Sequence, residues 1–432
     1  MLPRSSQDCW RRVASGYTRR IVDSILLDSL DTFGAVIIEG PRAVGKTTTG
    51  LQIAKSSVRL DSSPELSGLA EISPRSVLAG DTPRLIDEWQ LAPTLWNAVR
   101  HEVDQRGAPG QFILTGSATP TDDVNRHSGA GRFRRVTLRP MSLAESGEST
   151  NDISLSTLFA GDTLGGLGGP SVEEYTHLIV RGGWPGLVTQ PRRSASEYLS
   201  SYLDDVARVD LAGAGIRTDP LRMRALIRAL ARNVSTEIAA TRLGKEAEIG
   251  EGGAEISAQT TRRYLDALSR VFVVEEQPAW APHLRSRVRL RTQSKWHFVD
   301  PSLAAAALGA RPRSLLDDLH SLGLLFESLC IRDLRVHAQA LGGTVYHYRD
   351  EVGLEVDAIV EIADGRWAAF EVKLGGTANI DSAAAHLSAL ARKVSDQRAD
   401  QLTSLNVLTA GTTSYTRPDG VNVVALGHLG GR

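Results

Sequence analysis

Gly40-Pro41-Arg42-Ala43-Val44-Gly45-Lys46-Thr47 decides how the N-terminal part of the chain folds. It fits G-x-x-x-x-G-K-[ST] in full. It lies between a short apolar run, Ala35-Val36-Ile37-Ile38, and a helical stretch, Gly50–Lys55. Strand, glycine turn and helix form the context in which this motif cradles phosphates. The glycines let backbone N–H groups curl round an anion, and the helix N-terminus adds partial positive charge. Gly40, Pro41, Arg42, Ala43, Val44, Gly45, Lys46, Thr47 and Thr48 are the candidate nucleotide-binding residues. Lys46 is expected to reach the β- and γ-phosphates of ATP, and the Thr47 hydroxyl to join a Mg²⁺ shell. The full match in this context favours phosphate binding over a chance glycine turn.

Downstream, Val58–Leu60, Leu85–Ile86, Phe112–Leu114 and Arg134–Leu138 read as strands and Leu95–Val103 as a helix. Such alternation implies a parallel sheet in an α/β fold. Leu85-Ile86-Asp87-Glu88 supplies carboxylates. Asp87 is expected to hold Mg²⁺ through its water shell, and Glu88 to activate the attacking water as general base. The other reading is a strand end capped by two solvated acids, and Pro83 weakens the strand itself. Thr115 and Ser117, at the end of the strand Gln111–Ser117, either contact the γ-phosphate or belong to a simple turn. Arg132 is either an arginine finger, acting in cis or across a subunit boundary, or part of a surface-paired basic strand face.

The chain has 432 residues, enough for two or three domains. Hydrophobic residues at 41% and charged residues at 23% give ample core and exclude wholesale disorder. Lys and Arg total 49 against 50 Asp and Glu, so a net charge of -1 makes no global case for nucleic acid or membrane. Cys9 and Cys330 lie too far apart in sequence to build a disulfide framework, and a reducing cytosol fits them. No run approaches the ~18 consecutive apolar residues of a membrane span. The N-terminus has arginines but lacks the apolar centre of a secretory signal. A cytoplasmic protein is expected.

Gly161–Pro170 reads as a linker, followed by helical residues 171–210 around the turn Gly182-Gly183-Trp184-Pro185-Gly186. Trp184 reads as a packing anchor. Helices at Leu221–Ala231, Thr236–Leu243 and Ala258–Leu268, then a strand at Val271–Val274, make a winged-helix-like order. On the third helix, Gln259, Thr260, Thr261, Arg262 and Arg263 either contact DNA phosphates and base edges or form the solvated face of a packing module.

Leu354–Glu361 alternates strictly, Ala363-Asp364-Gly365-Arg366 reads as a hairpin turn, and Trp367–Lys373 returns. Symmetry about the turn sets Asp357 nearly opposite Glu371, with Lys373 on the same face. Asp357 and Glu371 would bind Mg²⁺, and Lys373 would position water or offset charge. Glu327, on a helix at Leu322–Cys330, is the candidate fourth member. The alternative is a ribbon whose outer face carries a salt-bridged pair. His127, His297 and His347 stand singly and read as structural, and both cysteines as inert.

The stretch from Gly16 through the Gly40–Thr47 motif, then Leu85–Asp104, Gln111–Ser117 and Gly129–Glu145, resembles the AAA-type ATPases of bacteria and archaea whose ATPase domain precedes a C-terminal domain of unknown function. The resemblance implies a five-stranded P-loop core with Walker A at 40–47, Walker B at 85–88, a sensor-type Ser/Thr at 115–117 and a functional Gly131-Arg132 pair. The D-x13-E-x-K spacing resembles the PD-(D/E)xK, or restriction-endonuclease-like, superfamily, with Val356 where a Pro might stand.

The expected organisation is a P-loop NTPase domain over 1–150, a helical linker region over 151–220, a winged-helix-like domain over 221–290 and a nuclease-like α/β domain over 291–432. Two functions fit. One is Mg²⁺-dependent ATP hydrolysis coupled to a DNA-directed nuclease-like domain. The other is an ATP-dependent conformational switch that binds a protein partner, with an inactive C-terminal domain. Either is compatible with an oligomer.

Overall fold

A computed structural model describes residues 16–117, 129–190, 194–213, 218–247, 255–281 and 293–431; Cys9 and His127 lie outside them. The chain divides into two compact units, Met1–Leu138 and Arg139–Arg432.

In the first unit, strands β1 (Ala35–Glu39), β2 (Ser56–Arg59), β3 (Arg84–Asp87), β4 (Phe112–Gly116) and β5 (Phe133–Thr137) form one sheet in the order β2-β3-β4-β1-β5. Every pair in it is parallel. Burial on both faces explains the continuous apolar runs at its centre. Val36 and Ile38 pack with Leu26 and Leu30 of helix α1 (Val22–Thr32) on one face. Ala35 and Ile37 pack on the other with Trp96 and Val99 of helix α3 (Leu95–Arg106), helix α2 (Lys46–Ile53) being the one that follows β1. Pro83 does not break β3, because it stands just before the first paired residue, where no ladder N–H is needed. In a parallel sheet all C-terminal strand ends share one edge, and the turns after β1, β3 and β4 meet there.

The second unit holds a seven-stranded sheet in the order β10-β11-β12-β13-β15-β14-β7, with β6 (Ile153–Ser154) paired to β16 (Leu429–Gly430). Its strands are β7 (Gly165–Leu167), β10 (Thr344–Arg349), β11 (Glu355–Glu361), β12 (Trp367–Lys373), β13 (Leu402–Thr409), β14 (Thr413–Thr416) and β15 (Asn422–Ala425). The stretch read as a linker is therefore partly edge strand: β7 pairs antiparallel with β14. Its glycines serve close approach. A Cβ on Gly166 would lie 2.7 Å from His428 Nδ1.

Helices α4 (Pro220–Arg232), α5 (Ala240–Glu246) and α6 (Ala258–Arg270) precede an antiparallel hairpin of β8 (Val274–Gln277) and β9 (Lys295–Phe298). The strand expected at 271–274 starts only at Val274, because α6 runs on to Arg270 and Phe272 turns the chain at φ 57°. The hairpin is fastened to the large sheet. Gln277 Nε2 donates to the carbonyls of Tyr346 (3.0 Å) and Asp357 (2.9 Å), and the Trp280 amide to that of His347 (2.6 Å). These bonds make one unit of segments that the sequence presents as separate. Helices α7 (Leu319–Ala340) and α8 (Thr377–Lys393) complete the site's surroundings.

Candidate functional site

The P-loop leaves β1 through Gly40, whose φ of 152° and close approach to Leu138 exclude a side chain: a Cβ there would lie 2.2 Å from the Leu138 carbonyl. Gly45 opens α2 from the left-handed region at φ 100°. Lys46 is buried and donates to the carbonyls of Gly40 (2.9 Å) and Pro41 (2.7 Å), so its ammonium lies inside the loop it serves. Thr47 Oγ1 donates to Asp87 Oδ1 at 2.8 Å, which brings the end of β3 to the start of α2. Thr115 also donates to Asp87 Oδ1, and Arg59 Nε lies 3.4 Å from Oδ2.

Glu88 occupies the left-handed region at φ 56° and ψ 44°, which costs a non-glycine residue about 1–2 kcal/mol. Gln90 Nε2 donates to its Oε2, and Ser117 Oγ to its Oε1 at 3.4 Å. Thr115 and Ser117 thus divide the work: one reaches Asp87, the other Glu88. Two further groups at the loop were missed in the sequence. Arg20 donates to the Val44 carbonyl at 3.2 Å. The Tyr17 hydroxyl donates to Asp23 Oδ1 at 2.7 Å and lies 3.2 Å from Thr49 Oγ1. Burial raises the Tyr17 hydroxyl above the ordinary tyrosine range.

Arg132 does not join this group. Its carbonyl accepts from the Ala35 amide, at the start of β1, whereas the P-loop follows the end of β1. At ~3.3 Å per residue the two lie roughly 16 Å apart along the strand. The guanidinium is bound to Asp104, with Nε 2.9 Å from Oδ1, and it holds that carboxyl below its usual range. This corrects the reading of Arg132 as a finger within its own chain; the exposed pair with Asp104 matches the other reading, a surface-paired basic strand face. Arg132→Ala is expected to leave ATP affinity unchanged in a fluorescent-nucleotide titration. A fall in affinity would return Arg132 to its own chain's P-loop.

In the second unit, β11 and β12 pair antiparallel with Ala358 opposite Phe370, which sets Asp357 beside Glu371. The Val372 amide donates to Asp357 Oδ2 at 2.8 Å. Lys373 Nζ lies 2.7 Å from Glu371 Oε2 and 3.7 Å from Asp357 Oδ2. Both carboxylates are buried, so this is no solvated outer face. Glu327 comes in from α7, on a helix longer at both ends than the expected Leu322–Cys330. It meets Asp357 through a residue missed in the sequence. Lys295, the first residue of β9, places Nζ 3.0 Å from Glu327 Oε1, 2.9 Å from Glu355 Oε1 and 3.6 Å from Asp357 Oδ1.

Burial opposes the charge on Lys295, but Glu327, Asp357 and Glu355 outweigh it and hold the ammonium protonated. Burial pushes the Glu327 and Glu371 carboxyls up to about 8. A cleft of ≈ 740 Å³ opens on Glu327, Asp357, Lys373, Gly375, Gly376 and Asn379. Among the described residues no group of three or more His, Cys, Asp or Glu side chains is disposed to hold a metal ion. The Mg²⁺ expected at Asp357 and Glu371 does not fit this arrangement: an ammonium fills each place where the oxygens converge. At the P-loop the donor set does fit, since Thr47 and Asp87 present neighbouring oxygens beside the phosphate cradle.

His297 is buried beside Gln277, its Nε2 2.8 Å from Oε1. Trp184 donates from Nε1 to Ser302 Oγ at 3.0 Å. Cys330 is buried and joins no disulfide among the described residues, and burial raises its thiol. On α6, Thr261 turns inward and donates to the Ser257 carbonyl at 3.1 Å, while Gln259, Arg262 and Arg263 are exposed.

Residues 32–147 match the AAA domain family. Residues 172–314 and 322–429 match two domains of unknown function, DUF8612 and DUF4143. Uncharacterized proteins of Mycobacterium tuberculosis and Mycobacterium bovis are each 27% identical over 368 residues, 84% of this chain and 75% of the relative. The Walker-type ATPase PABY2304 of Pyrococcus abyssi is similar at a TM-score of 0.40 and 16% identity, over 67% of this chain and 96% of that one. The AAA match and the strand–P-loop–helix unit agree on a P-loop domain of the AAA ATPase class. No helix among the described residues is long and apolar enough to cross a membrane.

Proposed function

We propose that the chain binds and hydrolyses ATP at the P-loop. The observation that carries this reading is the Thr47–Asp87 bond, which draws the turns after β1 and β3 into one site with Lys46 and Glu88. The Gly40–Thr48 backbone binds the phosphates, and Lys46 exchanges two carbonyls for their oxygens. Thr47 and Asp87 would hold Mg²⁺, which when bound offsets phosphate charge. Glu88 takes the proton of the attacking water, with Ser117 and Gln90 orienting its carboxylate. The test is phosphate release from ATP with and without Mg²⁺. A folded protein that binds ATP and releases none would be a nucleotide sensor.

The second unit is read as a nuclease-like site directed at DNA. What favours this is the meeting of Asp357, Lys373 and Glu327 at one cleft, with buried Glu371 bound to Lys373 behind them. The exposed Gln259, Arg262 and Arg263 on a winged-helix-like segment offer phosphate contacts. Divalent-metal-dependent cleavage of linear and plasmid DNA, with and without ATP, tests it beside Glu371→Ala. Cleavage lost in the variant supports a nuclease. No cleavage from a preparation that turns over ATP favours the other function, a switch that acts on a protein partner.

A further inference from the structure

Lys295 occupies the one point where the oxygens of Glu327, Glu355 and Asp357 converge. Its side chain is 3% exposed. The three oxygens lie 2.9–3.6 Å from Nζ, and Lys373 bridges Asp357 to Glu371 beside it. A divalent ion shared by these carboxylates would need the volume that the Lys295 ammonium fills. The lysine is also held there by its backbone. It pairs with Gln277 across the hairpin and forms a bridge to Glu237 on its other side. Its position is thus fixed by the register of β8 and β9, which belong to the helical segment before the large sheet and not to the sheet itself.

We propose that Lys295 is a built-in counter-cation that closes the acidic site of the second unit to divalent metal. The proposal rests on the nuclease-like reading of that site. It adds the control: a charged side chain from the middle segment occupies the place of the metal. Lys373 is a different case, since it comes from the same strand as Glu371, to which it donates.

The experiment is a Mn²⁺ titration of the full chain without nucleotide, read by the paramagnetic resonance of free Mn²⁺. The variant is Lys295→Met with Glu355→Gln. It removes one charge of each sign, so the net charge of the pocket is unchanged while Glu327, Asp357 and Glu371 stay. Lys295→Gln takes its place if the double variant does not fold by circular dichroism. The wild type is expected to bind no Mn²⁺ that depends on Asp357. The variant is expected to gain one Mn²⁺ per chain, bound at least roughly tenfold more tightly than by wild type, and to lose it on adding Asp357→Asn. Wild type binding Mn²⁺ as tightly, with loss in Asp357→Asn, would overturn the closure and leave the nuclease-like reading standing. No binding by either folded protein would overturn both.

Discussion

Lys46→Ala is expected to abolish ATP binding and with it turnover. The side chain is buried in the loop, donating to the carbonyls of Gly40 and Pro41. Those bonds hold the ammonium where a triphosphate would arrive, so binding exchanges two neutral acceptors for charged ones. Alanine leaves no cation to offset the phosphate charge, and loss of one such preorganised contact costs roughly 10²–10³-fold. The bends of the loop are set by the backbone at Gly40 and Gly45 and not by the lysine, so the loop should keep its fold. Circular dichroism would check this beside a fluorescent-nucleotide titration and phosphate release. Hydrolysis at the parent rate would remove the phosphate site from Gly40–Thr48 altogether. Lys46→Arg is not a rescue, because the planar guanidinium cannot enter a cavity shaped for a compact ammonium.

The phosphate site was legible because everything that makes it is local: an apolar strand, two glycines, and a Lys-Thr pair opening a helix. The hairpin of Asp357 and Glu371 was legible for a similar reason, since a period of two and a central turn fix which residues face each other. Lys295 was not legible. It stands in Ser294-Lys295-Trp296-His297-Phe298, a stretch that carries no motif, and reaches Glu327, Glu355 and Asp357 only through tertiary packing. The edge strand β7 was hidden by its glycines, which punctuate turns more often than they permit close packing. Arg132 carried a usable signal. It precedes its strand, whereas the P-loop follows one, and in a parallel sheet those positions lie at opposite edges. The distinction between Thr115 and Ser117 needed the register of β3 against β4, in which Asp87 faces Thr115.

Glu88→Gln is expected to bind ATP with the parent affinity and to hydrolyse it about 10²–10⁴-fold more slowly, the range for loss of a general base. The substitution keeps shape and removes only the ability to take a proton. Its local bonds can be kept as well. Gln90 Nε2 now donates to Glu88 Oε2, and among the described residues Gln90 Oε1 is buried without a partner. Turning the Gln90 amide over would let Oε1 accept from the new amide, while Ser117 continues to donate to the remaining oxygen. The left-handed backbone at this position is equally available to glutamine, so the turn after β3 should stand. Nucleotide titration and single-turnover phosphate release separate the outcomes. Lost affinity would make Glu88 a structural support of the Asp87 turn. Undiminished turnover would mean that the water is activated by another group, for which Asp87, tied to Thr47, Thr115 and Arg59, is already committed. Retained binding with slow hydrolysis is the result that assigns the proton to Glu88, because Asp87, the buried carboxylate that ends β3, is held by Thr47, Thr115 and Arg59.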